Sequence, residues 1–245
     1  MNLPPVKQRE AQRARVLPAA RDTSAGTSAG TSARSSASAD GNAALRPLSR
    51  SFYDRPTIEV AAELLGKVLI RPGAPTRMAR IVEVEAYLGE WDAASHARRG
   101  RTPRTTIMFG PPGFLYVYLI YGIHHCMNVV AKANATAGAV LIRAAAPLAG
   151  FARDLASTSR SPRPSRLEQR LLAGPGKVCA GFGITRLQNG LDLCANELFL
   201  TDDGAPPPRL KRSARIGVEY AASWATRKLR FYIPGDPHVS GAPRD

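Results

Sequence analysis

Cysteine, histidine and acidic side chains are scarce in this 245-residue chain, and no long hydrophobic run interrupts it. Its three cysteines, Cys126, Cys179 and Cys194, are odd in number and far apart. That excludes a disulfide scaffold and any C-x-x-C metal or redox site. Four histidines without an H-E-x-x-H string argue against a zinc hydrolase. The apolar stretches fall well short of the roughly 20 residues that a membrane span needs. The chain also has no apolar core of a secretory signal. We therefore expect a protein of a reducing compartment, with no membrane partner. Acids number 19 against 34 Lys and Arg, which leaves a net charge of +15. Such an excess points to a polyanionic partner.

The length suits one domain, or at most two small ones. Residues 1–48 differ from the rest: they are rich in Ala, Ser, Arg, Pro and Gly, and 23–33 reads TSAGTSAGTSA. A stretch with so little to bury is expected to be a disordered basic tail. Its Glu10, Asp22 and Asp40, and the early Pro4 and Pro5, count against an organelle transit peptide.

The globular pattern spans 49–245. Asp54 or Thr57 can cap a helix over Ile58–Leu65, stopped by Gly66. KVLIR (67–71) and the alternating RIVEVEAY (80–87) read as strands. Residues 89–113 read as loop. FLYVYLIY (114–121) and IHHCMNVVA (123–131) flank Gly122 as a hairpin. AVLIRAA (139–145) and LRFYIPG (229–235) are further strands, a helix is expected over 165–173, and another starts near Lys177. Strands cluster as hairpins and do not alternate with helices. The expected class is α+β, with a mainly antiparallel sheet.

Period two in IVEVEAY puts Ile81, Glu83, Glu85 and Tyr87 on one face and Val82, Val84 and Ala86 on the other. The Val/Val/Ala face is a core face. The opposite face is either a solvated surface with ordinary acids or an active-site floor with a carboxylate base. Both carboxylates leave one strand in one direction, so they cannot flank a substrate from two sides. One would be a base and the other a structural partner. In HARRGRTPRT (96–105), Arg98, Arg99, Arg101 and Arg104 fall within seven positions. Beside the overall charge, a phosphate-contacting loop is favoured over a plain charge run. Tyr116 and Tyr118 share a strand face, and Tyr121 sits at the hairpin tip. It is either β padding or a wedge that pushes between base pairs. LLAGPGKVCAGFGI (171–184) is either a plain loop between helices or a phosphate-holding element, in which Lys177 could also serve as a Schiff-base nucleophile.

Taken in order, VEVEAYLGEWDAASH, TPRTTIMFGPPGFLYVYLIYGIHHCMNVV, VLIRAAAP, GPGKVCAGFGI and RIGVEYAASWATRKLRFYIPG resemble the 3-methyladenine (alkyladenine) DNA glycosylase family over about residues 51–240. The resemblance implies a single compact domain with a curved antiparallel sheet and surrounding helices. It implies a monofunctional enzyme that flips alkylated or deaminated purines out of duplex DNA and hydrolyses the glycosidic bond. The partner is then double-stranded DNA carrying damaged purines, the protein a monomer acting in the nucleoid or nucleus, and no cofactor is needed. By the same resemblance Glu85 matches the water-activating Glu. Tyr87, His96 and Tyr118 match residues around the flipped base, Asn128 the pocket wall, and Arg143 an Arg near the water. Tyr121 matches the Tyr that fills the vacated stack, Met108 a side chain inserted near the opposite strand, and Lys177 a phosphate contact. The family's Lys-Pro-Leu-Arg-Phe ending reads Lys228-Leu229-Arg230-Phe231 here, without the proline. Residues 132–138 are short, and 153–166 read as a variable loop. A bifunctional glycosylase/lyase using Lys177 and a non-catalytic nucleic-acid-binding module are the alternatives.

Overall fold

Short alternating runs make the sheet, and two helices cover its apolar side. The computed structural model describes residues 45–132, 137–152, 154 and 169–241. Most of the expected tail over 1–48 lies outside the described residues, as do the first part of the helix expected over 165–173, residues 133–136, and nearly all of 153–166. Among the described residues there are eight strands: β1 (Val68–Arg71), β2 (Arg77–Tyr87), β3 (Leu115–Ile120), β4 (His124–Val130), β5 (Ala139–Ala149), β6 (Phe199–Thr201), β7 (Lys211–Ser213) and β8 (Arg230–Tyr232). They pair antiparallel in the order β3-β4-β5-β2-β1-β6, with β8 on β2 and β7 on β8. The protein is thus α+β with an antiparallel sheet. No helix of the described residues is long and apolar enough to cross a membrane.

The sheet forks at β2. One edge of β2 pairs with β5 along its whole length. The other edge is shared, with Arg77–Arg80 paired to β1 and Glu83–Glu85 paired to β8. Two irregularities bend this centre. Ile81 faces Ala145 and Glu83 faces Ala144, so Val82 is an extra residue on β2; Val84 then faces Ile142, so Arg143 is an extra residue on β5. Such bulges raise the local twist and re-aim side chains.

The bulge at Val82 corrects the face assignment made from strict alternation. Ile81 joins the main core with Val84 and Ala86, not the face of Glu83 and Glu85. That second face is not solvated either, because Glu83 and Glu85 are both fully buried.

Among the described residues, two helices and a helical turn before them position the rest. The first helical turn is α1 (Arg50–Tyr53), and α2 (Thr57–Leu64) lays Val60, Ala61 and Leu64 on the core. Neither Asp54 nor Thr57 caps α2. Pro56 is its N-cap residue, and the Thr57 hydroxyl donates to the Ala131 carbonyl at 2.9 Å. Gly66 ends it at φ +86, a left-handed position that glycine takes without strain. α3 (Pro175–Phe182) starts two residues before Lys177, with Pro in the first turn, and buries Val178, Cys179 and Phe182. Leu48, inside the expected tail, already belongs to the fold: its N–H donates to the Leu200 carbonyl at 2.8 Å.

Candidate active site

One row of paired residues crosses the sheet. Tyr116 of β3 faces Asn128 of β4, Asn128 faces Leu141 of β5, Leu141 faces Glu85 of β2, and Glu85 faces Arg230 of β8. Directly opposed residues share a sheet face. Over this row opens a cavity of about 640 Å³, a size suited to a small organic ligand. Its walls include Tyr87, His96, Tyr118, Asn128, Arg143 and the hairpin tip, together with Gly174–Lys177 and Ile216–Val218. Five of the residues expected around a flipped base are thus brought together.

Glu85 has no exposed surface and stands one contact behind the cavity wall, against Tyr87, Arg143 and Ile216. Its carboxylate accepts the Tyr87 hydroxyl at 2.9 Å and the Ile216 backbone N–H at 2.8 Å, and Arg143 Nη1 stands 3.3 Å away. Burial pushes the Glu85 carboxyl above the ordinary range, while Arg143, the Ile216 N–H and the Tyr87 hydroxyl pull against that. Glu83 has a different environment. It accepts from Arg143 Nε at 2.9 Å, Arg230 Nε at 2.7 Å and the Ser240 N–H at 2.6 Å. Its acceptor sites are occupied by donors, whereas all three groups that hold Glu85, Tyr87, Arg143 and Ile216, also line the cavity.

Aromatic rings form the sides. His96 and Tyr118 meet edge-on at 4.6 Å between centroids, and His96 Nδ1 shares a 2.9 Å hydrogen bond with the Tyr116 hydroxyl. Burial, helped by the charges of Arg104 and Arg99, pushes the His96 imidazole down to about 4, so it is neutral near pH 7. The Arg215 guanidinium covers one face of the Tyr87 ring at 4.6 Å. Tyr87 lines the cavity and Arg215 does not. Asn128 Nδ2 donates to the Tyr116 carbonyl at 3.2 Å, which fixes its amide in the wall.

At the mouth, Tyr121 is 85 % exposed with φ +53, and Gly122 follows with φ +71. The Ile123 N–H donates to the Ile120 carbonyl, which closes a turn with two left-handed central residues. A Tyr held there is strained.

The arginines separate. Arg98, Arg99 and Arg104 line an adjoining cavity of about 670 Å³, and Arg104 also reaches the first and covers the Tyr118 ring at 5.3 Å. Arg101 lines neither cavity and lies over the Phe109 ring. Lys177 is exposed at the rim, and its amine donates to the Arg170 carbonyl at 3.0 Å. Met108 is a correction. A side chain inserted into DNA must be exposed, but Met108 is 2 % exposed and packs with Ala97, Tyr116 and Val130 as wall.

Four functional positions escape the sequence reading. Asp92 and Arg215 form a buried bidentate pair at 2.5 and 2.8 Å, and Arg215 also donates to the Ala86 carbonyl. Arg230 and Ser240 complete the surroundings of Glu83. Only Asp92 leaves a signal: it is followed by small residues, and its side chain accepts the Ala94 N–H in an Asx turn. Among the described residues no group of three or more His, Cys, Asp or Glu could hold a metal ion.

A family model described as methylpurine-DNA glycosylase matches residues 51–237. A Methanocella arvoryzae protein named "Putative 3-methyladenine DNA glycosylase" is 47% identical over 200 residues, covering 81% of this chain and 98% of its own. A Myxococcus xanthus protein of the same name is 45% identical over 199 residues, 80% of this chain and 94% of its own. One from Alkaliphilus oremlandii is 43% identical over 200 residues, 79% and 98% of the two chains.

Proposed function

This chain belongs to the methylpurine-DNA glycosylase family, and from that premise we propose that it is a monofunctional hydrolase that removes alkylated or deaminated purines from duplex DNA with Glu85 as general base. The observation that carries this is the buried Glu85 carboxylate beside an aromatic cavity, held by Tyr87, Arg143 and the Ile216 N–H.

A base inside a duplex is out of reach, so it is extruded at a cost of a few kcal/mol. Tyr121, exposed at the hairpin tip, fills the vacated stack and offsets part of that cost. The purine enters between Tyr87 and the Tyr118–His96 pair, where stacking contributes roughly 1–3 kcal/mol. N-alkylated purines carry positive charge, which π-faces attract and a neutral His96 does not repel. Such a base is already a good leaving group. Water enters between Arg143 and Ile216, which both touch Glu85 and line the cavity. Glu85 takes its proton as the oxygen attacks the sugar C1′, and the carboxylate also stabilises the developing oxocarbenium ion. The exposed Arg98, Arg99, Arg101, Arg104 and Lys177 neutralise backbone phosphates. Asn128 in the wall rejects the 2-amino group of guanine.

A lyase using Lys177 has one observation in its favour, its place on the cavity rim. Single-lesion duplexes incubated with the protein should release free base and leave an abasic site. Borohydride should trap no enzyme–DNA adduct; a trapped adduct lost in Lys177→Ala would establish the lyase, and no released base would overturn both readings.

A further inference from the structure

Glu83 is the second carboxylate of β2, and the hydrolysis outlined above does not use it. Burying a carboxylate opposes folding unless donors surround it. Glu83 has three, and one comes from the far end of the chain: Ser240 lies beyond the family match, which stops at 237. Ser240 touches every member of this buried cluster except Glu85. Its N–H donates to Glu83 at 2.6 Å, its carbonyl accepts from Arg230 Nη2 at 2.7 Å, and its hydroxyl accepts from Arg143 Nη2 at 3.4 Å. Arg143 is thereby shared. Its Nε is drawn to Glu83 at 2.9 Å, and its Nη1 stands farther from Glu85, at 3.3 Å.

We propose that Glu83 and Ser240 are positioning residues: Ser240 seats Glu83, Glu83 holds the Arg143 guanidinium, and Arg143 is kept from closing fully on Glu85. The inference rests on Glu85 being the base. A cation in full contact with a carboxylate weakens it as a proton acceptor, and no cation leaves it protonated when buried. A shared cation gives the intermediate case. The other groups that face Glu85 are Tyr87 on its own strand, Tyr118 of β3, Cys126 of β4, and Arg215, whose charge is matched by Asp92. Arg230 of β8 is spent on Glu83. Among the described residues Arg143 is therefore the one adjustable charge at Glu85.

The test is single-turnover excision from a one-lesion duplex as a function of pH, for the unaltered protein, Glu83→Gln, Ser240→Pro and Glu85→Gln. In Glu83→Gln, Arg143 is released to Glu85 and a negative neighbour is lost. The acid limb should move down by about one pH unit and the plateau fall about tenfold, with half-saturating enzyme concentration within about twofold. In Ser240→Pro the N–H that seats Glu83 and the hydroxyl that accepts from Arg143 are both gone, so Arg143 is again released toward Glu85 and the acid limb should move down, by less than in Glu83→Gln. A downward shift of the acid limb with half-saturation retained is not expected of residues that merely hold the fold. Limbs that stay in place, or move up, overturn the proposal, as does a loss seen only in half-saturation or melting. If Glu83→Gln does not fold, the direction of the Ser240→Pro shift decides. Excision retained by Glu85→Gln instead removes the base assignment itself, a separate failure.

Discussion

Replacing Tyr121 with Asn should stabilise the protein while disabling it on duplex DNA. Tyr121 is a non-glycine residue at φ +53 in a turn whose next residue, Gly122, also has positive φ. A Tyr in the left-handed region costs about 1 kcal/mol. Asn-Gly is the preferred pair for such a turn. At 85 % exposure the ring contributes almost no burial that the substitution would forfeit. The expected gain is about 1 kcal/mol, or about 2–4 °C in Tm for a domain of this size. Excision should move the other way. Losing an aromatic stack of roughly 1–3 kcal/mol lowers the rate roughly 5- to 150-fold on a paired lesion. A lesion in an unpaired bubble needs far less extrusion, so the deficit should shrink there. Calorimetry and single-turnover excision on the two substrates measure both effects. A Tm lowered by several degrees would make Tyr121 a structural residue. Equal losses on paired and bubble substrates would refute the stack-filling argument.

Glu85→Gln should reduce excision by at least about 10²–10⁴-fold with binding to lesion DNA retained, and Glu83→Gln should do much less; the reverse order in a rate assay would mean that the base is the other carboxylate. Asn128→Ala should raise excision of guanine lesions relative to adenine lesions, and an unchanged ratio would remove Asn128 from selectivity. Asp92→Asn breaks a fully buried ion pair with Arg215 and should cost about 3–5 kcal/mol, seen as a Tm drop of about 10 °C; a drop under 2 °C would show the pair to be dispensable. His96 holds its proton only below about pH 4 when folded, against about 6.5 unfolded, so its contribution is present above 6.5 and lost as pH falls toward 4. His96→Gln should flatten that part of the Tm-against-pH curve, and an unchanged curve would deny the shift.

Periodicity made the long strands legible: RIVEVEAY, the hairpin runs and AVLIRAA all became strands. It failed on which face β2 buries, because one extra residue, Val82, shifts parity and nothing in the string announces a bulge. β6 and β7 were missed because three residues hold no period, and β7 carries Lys211 and Arg212 on an exposed edge. Ordered motifs pointed to Glu85, Tyr87, His96, Tyr118, Asn128 and Arg143; the last five line one cavity, and Glu85 contacts two of them, Tyr87 and Arg143. The charged groups behind them were invisible. Asp92 and Arg215 lie 123 positions apart, Glu83 and Ser240 lie 157 apart, and only the folded sheet brings them together. Met108 erred differently: the resemblance placed it against the opposite DNA strand, but its side chain is buried in the wall.

The row of residues across the sheet sets a fixed span. Asn128 and Glu85 are separated by one intervening strand, so at about 4.8 Å per strand they stand roughly 10 Å apart across the backbone ladder. On the proposed roles of Asn128 and Glu85, that separation would accommodate the edge of the base at one end and the sugar carbon with its water at the other. Recognition and bond breaking would then be gauged by the same hydrogen-bonded backbone spacing. A bulkier lesion cannot be admitted by moving the two ends apart without tearing the sheet. Divergence in lesion choice within such a scaffold is left to the side chains that face the gauge, as at Asn128, and to the segments at 94–108, 174–177 and 216–220 that also line the cavity.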